Sequence, residues 1–196
     1  IGGRNSIHQH QCKGREPCEV CKVFGLPGQE AQSEPTRLIV RDSHLLDELY
    51  VTEVDGSRSL RKWSDASIRT DLPFSETKTE VAIDRVTSAA SPRQVERVPA
   101  GARFGYSLVF DIYNDADRGH LSLVFEGMRL LENDYIGGYG TRGSGQVRFE
   151  SVEITWRSKP AYASGHPGKV LAKDLSLAGI AEQFDAEIKA KLNGAA

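Results

Sequence analysis

The segment at residues 137–145 constrains the fold more than any other, because it holds five glycines in nine residues, with a tyrosine and an arginine among them. Such a backbone enters positive-φ conformations freely and lets a ligand or a second backbone come close. It matches the dinucleotide pattern G-x-G-x-x-G, but that pattern needs a strand before it and a helix after it. We predict the reverse order here, and no phosphate-loop lysine follows. A loop whose backbone contacts another kind of ligand is the interpretation we favour; a tight helix-to-strand connection is the alternative.

The elements around this loop have clear periodicities. Apolar residues alternate over 104–112, which predicts a strand, and they recur at helical spacing over 121–131, which predicts a core-facing helix. After the loop, two alternating runs within 147–156 are out of phase, so we expect a strand with a bulge. Strand, helix, loop and strand together form a β-α-β unit of ferredoxin-like character. A linker over 158–168 then leads to a C-terminal amphipathic helix, capped by Asp174 or Ser176.

The middle of the chain predicts a long hairpin. Residues 80–86 and 94–98 read as strands around a small, polar, turn-prone connector. Residues 36–42 predict a short buried strand. Residues 43–73 have no clear pattern, and we expect an irregular excursion there with at most a helical turn near Leu45 and Leu49.

Composition points to a localised nucleic-acid surface on a nearly neutral protein. The formal net charge is −2, yet 16 of the 25 basic residues are arginine, including every one between Lys78 and Lys159. Guanidinium groups bind phosphate and stack on bases, although solvated ion pairs explain the bias equally well. No apolar run reaches membrane-spanning length and no signal peptide is visible, so we expect a cytoplasmic protein without a membrane partner. The sequence opens at Ile1 rather than Met, and we expect a further N-terminal portion.

All three cysteines lie near the N-terminus and predict a structural zinc site. Cys18 and Cys21 form a Cys-x-x-Cys pair, and Cys12 lies six residues before Cys18. A nearby imidazole supplies the fourth ligand for tetrahedral Zn²⁺, with His10 preferred and His8 as the alternative. Free thiols remain the other interpretation.

Several motifs together resemble one family. The glycine loop with the preceding Leu-Leu-Glu-Asn-Asp-Tyr-Ile at 130–136 resembles the RAMP superfamily of CRISPR effector proteins. The sequences at 79–87 and 92–101 look like the repeated backbone subunit of the type III-A (Csm) complex. Cys-Glu-Val-Cys-Lys-Val-Phe-Gly at 18–25 and Arg-Leu-Ile-Val-Arg-Asp at 37–42 also fit that subunit.

The resemblance implies an α+β architecture. It would be a modified ferredoxin-like (RRM-like) RAMP domain over residues 1–157, with a zinc-binding insertion at 12–25 and a β-hairpin thumb at 79–101. Residues 158–196 would be the linker and C-terminal helix.

The resemblance also implies partners and RNA-contacting residues. Copies of the subunit would stack into a filament along a CRISPR guide RNA, together with other Csm subunits, while the thumb pushes between guide RNA and target RNA. In the thumb the expected RNA contacts are Arg85, Arg93, Gln94 and Arg97. In the glycine loop they are Gly137, Gly138, Tyr139, Gly140, Thr141, Arg142 and Gly143.

The activity implied is that of a metal-dependent endoribonuclease, using a divalent metal such as Mg²⁺, that cuts target RNA at regular intervals. The family's catalytic aspartate belongs to a loop N-terminal to every motif matched here, so the catalytic residue is unknown. Asp42 could lie near the site, although a structural hydrogen bond is the role that we favour for it, and Asp84 is a weaker candidate. A non-catalytic structural RNA-binding subunit is the alternative function, and a stand-alone zinc-containing RNA-binding module is a third.

Overall fold

The structure, a computed structural model, describes residues 10, 12, 17–26, 34–65, 68 and 70–194. It divides into two compact units, one formed by residues 1–39 and 108–196 and the other by residues 40–107. The strands are β1 (Leu38–Val40), β2 (His44–Thr52), β3 (Arg58–Lys62), β4 (Glu76–Ile83), β5 (Ala90–Arg97), β6 (Ala102–Gly105), β7 (Leu108–Phe110), β8 (Val152–Trp156) and β9 (Lys169–Leu175). The α-helices are α1 (Glu19–Phe24), α2 (Asp117–Glu132), α3 (Lys159–Ser164), α4 (Leu177–Gln183) and α5 (Lys189–Gly194).

The first unit is built around α2 and the C-terminal helices. A π-helical turn, Phe184–Ile188, joins α4 to α5. The rings of Phe125 and Phe184 meet edge to face, with centroids 6.0 Å apart. Burying one such side chain contributes about 2–3 kcal/mol. The buried apolar residues of these helices are Leu121, Val124, Phe125, Met128, Leu177, Ile180, Phe184, Ile188 and Leu192.

Two small ladders complete the first unit. Strand β1 pairs with β7, and β8 pairs antiparallel with β9. The two strands that flank α2, β7 and β8, therefore lie in separate sheets within the described residues. Across those residues, no helix is long and apolar enough to cross a membrane.

The second unit contains a three-stranded antiparallel sheet and a hairpin. The sheet order is β3–β2–β6, with Leu49 of β2 buried, and β4 pairs with β5 over eight consecutive residue pairs. Gly101 directly precedes β6 and has φ of +88°. A Cβ at this position would lie 1.9 Å from the carbonyl oxygen of Tyr50. Only glycine allows this close approach.

Three predicted elements are confirmed. The core-facing helix is α2, and its predicted apolar stripe is buried from Leu121 to Met128, while Leu131 is half-buried. The hairpin is β4–β5, although its connector is residues 84–89 rather than 87–92. The C-terminal amphipathic helix is present, and Ser176 caps it by accepting a hydrogen bond from the Gly179 N–H at 3.2 Å. Asp174 instead lies within β9, one residue before its end, with φ of +54°.

The prediction for residues 43–73 is wrong. This segment contains β2 and β3 rather than an irregular excursion, and Leu45 and Leu49 lie in a strand, not in a helical turn. Apolar and polar residues alternate only weakly along β2 and β3, because the sheet is small and largely exposed and only Leu49 of β2 is buried.

The predicted strands that flank α2 are also corrected. The single strand expected over 104–112 is broken into β6 and β7, which belong to different sheets. Residues 147–149 are not a strand: the Phe149 N–H donates to Glu132 Oε1 at 2.7 Å, and Ser151 adopts φ of +54° before β8 begins. The expected linker over 158–168 contains α3, and β9 follows it.

Candidate metal centre and nucleic-acid interface

The structure gathers the four preferred zinc ligands into one cluster. His10 Nε2 lies 3.5 Å from Cys12 Sγ and 3.3 Å from Cys18 Sγ. With Cys21 included, the ligand atoms all lie within 4.8 Å of one another. His8 lies outside the described residues, so that alternative is untested.

This donor set fits a tetrahedral zinc ion. Bonds of about 2.3 Å to sulfur and about 2.0 Å to nitrogen place tetrahedral ligand atoms roughly 3.5–3.8 Å apart. The two nitrogen–sulfur distances in the structure, 3.5 and 3.3 Å, lie close to that spacing. Three thiols and one imidazole are also the soft ligands of closed structural sites, which keep no open position for catalysis. The cluster is therefore suited to hold Zn²⁺ as a structural ion.

The local fold gives the two cysteines of the pair different environments. Cys18 is the N-cap of α1 and is exposed, whereas Cys21 lies inside the helix and is buried. The Cys21 backbone N–H, followed by Cys12 and His10, lowers the pKa of the Cys18 thiol to about 6. Burial raises the pKa of the Cys21 thiol to about 11. In the metal-free chain the Cys18 thiol therefore ionises more readily than the Cys21 thiol.

The metal cluster is tied to the core of the first unit through α1. Val23 is completely buried, and the Arg37 N–H donates to the carbonyl of Lys22 at 3.0 Å. Helix α1 packs against α2, where the ring of Phe24 lies beside Gly127. The cluster therefore sits on a helix that the core already fixes.

A buried ion pair beneath α1 was missed by the sequence analysis. Arg37 Nε donates to Asp117 Oδ1 at 3.0 Å, and both side chains are at most 2% exposed. Burial opposes ionisation of Asp117, but the N–H groups of Tyr113 and Asn114, with Arg37, outweigh it and lower its pKa. Glu34 also pairs with the guanidinium at 2.6 Å. The partners are 80 residues apart, so no local sequence pattern could have shown the pair.

In the hairpin, two of the predicted RNA-contacting arginines are held by carboxylates across the ladder. Arg93 pairs with Glu80 at 2.8 Å, and Arg97 pairs with Glu76. Both pairs are directly opposite in the register and lie on one face. Gln94 is one residue out of phase and lies on the other face, so these three residues do not form a single contact surface.

The hairpin tip presents Arg85 to solvent. Arg85 makes no ion pair with another described residue. The neighbouring Asp84 accepts hydrogen bonds from the Val86 and Thr87 N–H groups and from the Thr87 hydroxyl, which lower its pKa. Asp84 therefore has a turn-forming role.

The glycine loop uses part of its backbone for its own structure. A Cβ at Gly140 would lie 2.1 Å from the ring of Tyr135, and one at Gly145 would lie 2.2 Å from the carbonyl oxygen of Ile136. The loop includes a 3-10 turn, Gly140–Arg142. Some of the glycines are thus required by tight packing of the protein on itself.

The remaining glycines of the loop face open space. A Cβ at Gly137, Gly138 or Gly143 would meet no atom within 4 Å. The exposed Arg142 guanidinium lies over the Tyr139 ring, 5.6 Å from its centroid. The loop therefore combines accessible backbone with a positioned cation, which suits a phosphate group.

A catalytic metal site is not evident in the described part of the chain. Among these residues, the thiol–imidazole cluster is the one group of three or more His, Cys, Asp or Glu side chains gathered for a metal. Asp42 is exposed and makes no hydrogen bond with another described residue, so the expected structural hydrogen bond is not seen. The prediction of a Mg²⁺ site stays a prediction.

Comparison with known proteins identifies the family. The family profile of the RAMP superfamily matches residues 2–148. Because this match covers most of the sequence, the chain belongs to the RAMP superfamily.

Three curated relatives carry the same description, CRISPR system Cms endoribonuclease Csm3. The protein of Methanocaldococcus jannaschii is 34% identical and covers 85% of this chain, and that of Methanothermobacter thermautotrophicus is 37% identical over 83%. The protein of Enterococcus italicus is 33% identical over 70%. The chain spans 60%, 66% and 67%, respectively, of the lengths of these relatives.

A solved structure is similar in fold. It is a Csm3–Csm4 subcomplex of the type III-A CRISPR-Cas interference complex, one chain of which matches with a TM-score of 0.54 and 26% sequence identity. The match covers 90% of this chain and 68% of that chain.

Proposed function

We propose that this protein is a backbone subunit of a type III-A CRISPR effector, which binds guide RNA in a filament with other copies and cleaves complementary target RNA at regular intervals. The observation that carries the proposal is the 34–37% identity to two Csm3 endoribonucleases over more than four fifths of the chain. The likeness to a Csm3–Csm4 subcomplex supports assembly with other Csm subunits.

The glycine loop and the hairpin are the proposed RNA contacts. In the loop, Arg142 and the open backbone at Gly137, Gly138 and Gly143 would bind guide phosphates, with Tyr139, Gly140 and Thr141 shaping the turn. In the hairpin, Arg85 would meet RNA directly at the tip. Arg93 and Arg97 would have to exchange their carboxylate partners for phosphate, and Gln94 would act from the opposite face.

The proposed fold is a modified ferredoxin-like domain with a zinc-stabilised insertion. The family match and the β-hairpin support it. The Zn²⁺ ion would be held by His10, Cys12, Cys18 and Cys21, whose arrangement fits a structural site.

The competing function is a structural RNA-binding subunit without cleavage activity. It would use the same loop and hairpin, so binding alone does not distinguish the two. The described residues gather no carboxylate cluster for a divalent cation. Cleavage would therefore need further residues or partners to complete the metal site.

A cleavage assay with a programmed guide separates the two functions. The protein is assembled with a guide RNA and its Csm partners, and then receives end-labelled complementary RNA with Mg²⁺; a non-complementary RNA and chelation by EDTA are the controls. We expect metal-dependent fragments that differ by a constant length. Guide-dependent binding without fragments would instead establish the structural role, and no guide-dependent binding at all would reject both.

A further inference from the structure

A row of stacked cationic and aromatic side chains crosses the three-stranded sheet of the second unit. The Arg58 guanidinium carbon lies 4.2 Å from the centroid of the Tyr50 ring, and that of Arg103 lies 5.2 Å from it. The three residues come from β3, β2 and β6, which are adjacent strands. One tyrosine ring thus positions two guanidinium groups.

The strand register places this row on one face of the sheet. Tyr50 lies directly opposite Leu60, and Arg58 and Lys62 lie two residues to either side of Leu60. Side chains two residues apart in a strand share a face. Leu60 is 45% exposed, so this face is open to solvent.

The opposite face has a different character. It carries the buried Leu49, which lies opposite Arg61 in the register. Arg61 is neutralised there by Glu53 at 2.9 Å and by Asp65 at 3.6 Å. Among the described strand residues of the Tyr50 face, three are cations (Arg58, Lys62 and Arg103) and one is a carboxylate, Glu48, which pairs with Arg103 at 3.2 Å. The strand residues of this face therefore carry a net positive charge.

This arrangement suits a polyanion with planar bases. A guanidinium held against an aromatic ring by a cation–π interaction has a fixed fork of N–H donors and a planar surface. The donors match phosphate oxygens, and planar cationic or aromatic groups stack on bases whatever their sequence. To bind an acidic protein, the Tyr50 face would need only its positive charge and not the stacked geometry.

From these observations we infer that the Tyr50 face of the β3–β2–β6 sheet is a second binding surface for single-stranded RNA, at which Arg58 and Arg103, aligned by Tyr50, bind the backbone and stack on bases. This inference rests on the proposed RNA-binding function. It also assigns a role to residues 43–73, whose sequence alone indicated none.

Binding of a fluorescein-labelled oligouridylate to the 196-residue chain, followed by fluorescence anisotropy at several salt concentrations, tests this surface. Tyr50→Leu should weaken binding at least about fivefold, because stacking contributes at this level per base. The double substitution Arg58→Gln with Arg103→Gln should also reduce the dependence of log K on log salt by about 1.4, since each single-strand phosphate contact contributes about 0.7.

Substituting both arginines by lysine separates the contribution of stacking to RNA binding from that of charge. Arg58→Lys with Arg103→Lys keeps both charges, so the salt dependence should stay the same while the affinity falls. If the lysine pair binds as tightly as the wild type, the stacked geometry has no role and the inference is wrong.

Two controls match these variants. Arg61→Gln removes one charge from the same strand but from the opposite face. Tyr162→Leu removes another tyrosine that is stacked by an arginine, since Arg157 lies 4.9 Å from its ring centroid. Both should bind oligouridylate as the wild type does, and thermal unfolding checks that every variant is folded.

The other outcomes separate this inference from the proposed function. If Arg142→Ala weakens binding and the Tyr50-face variants do not, the second surface is rejected and the proposed function stands. If the wild type binds no RNA, both are rejected. If the Tyr50-face variants bind RNA normally but lose association between copies of the chain, the face binds protein, and the inference is overturned.

Discussion

At the scale of single residues, the fold gives two ligands of the metal site, Cys18 and Cys21, opposite shifts in thiol pKa. The exposed thiol at the helix N-cap ionises readily, while its buried partner does not. Zinc binding would ionise the Cys21 thiol in spite of its burial, because a zinc ion binds the thiolate and displaces the thiol proton. The cluster is thus arranged to be completed by an ion.

We predict that iodoacetamide at pH 7 modifies Cys18 before Cys21 in the metal-free chain, because a thiol with a pKa of about 6 is mostly thiolate at that pH. Peptide mass mapping after partial reaction measures the order. Addition of Zn²⁺ should protect both cysteines at about one ion per chain, measured by elemental analysis. Equal modification of the two thiols, with and without zinc, would contradict the assignment of the metal site.

The Arg37–Asp117 pair leads to a prediction about stability. Asp117 has a lowered pKa in the folded chain, so its stabilisation is complete above the unfolded value of about 3.9 and is lost as the pH falls through the folded value. At pH 7, Asp117→Asn should cost about 3 kcal/mol in the free energy of unfolding, because it removes the buried one of the two carboxylates that pair with the Arg37 guanidinium. Urea unfolding of metal-free protein from pH 7 to pH 3 measures both effects. A variant as stable as the wild type at pH 7 would show that Glu34 alone satisfies Arg37.

At the scale of elements, the glycine loop combines two kinds of glycine. Gly145 is needed by the fold, since it has φ of +84° and the chain packs tightly against it, whereas Gly138 faces open space. Gly145→Ala should destabilise the chain by more than about 1 kcal/mol. Gly138→Ala should melt as the wild type does and bind guide RNA more weakly, because its methyl group obstructs approach to the backbone. Thermal melts and RNA titrations of the pair distinguish these roles, and tight RNA binding by Gly138→Ala would remove Gly138 from the interface.

The elements differ in how far sequence could predict them. Helix α2 and the C-terminal helix were predictable because each buries a continuous apolar stripe against the other. Strands β2 and β3 were not, because their sheet buries little and their side chains give no alternation. The cysteine cluster was predictable from spacing alone. The stacking of Arg58 and Arg103 on Tyr50 was not, because it depends on the register of three strands.

At the scale of the whole molecule, the chain combines a helix-centred unit that carries the metal cluster and glycine loop with a strand-rich unit that carries the hairpin and the Tyr50 face. Each unit presents its own candidate RNA contacts. The net charge of −2 means that these contacts must be local, since the chain as a whole has no attraction for a polyanion.

The central claim is that the chain binds guide RNA and assembles along it. Size-exclusion chromatography with multi-angle light scattering, with and without guide RNA, measures this most directly. We predict that RNA produces complexes whose protein mass is a multiple of 21.5 kDa and grows with RNA length, while protein alone stays small. A monomer at every RNA length would contradict the account.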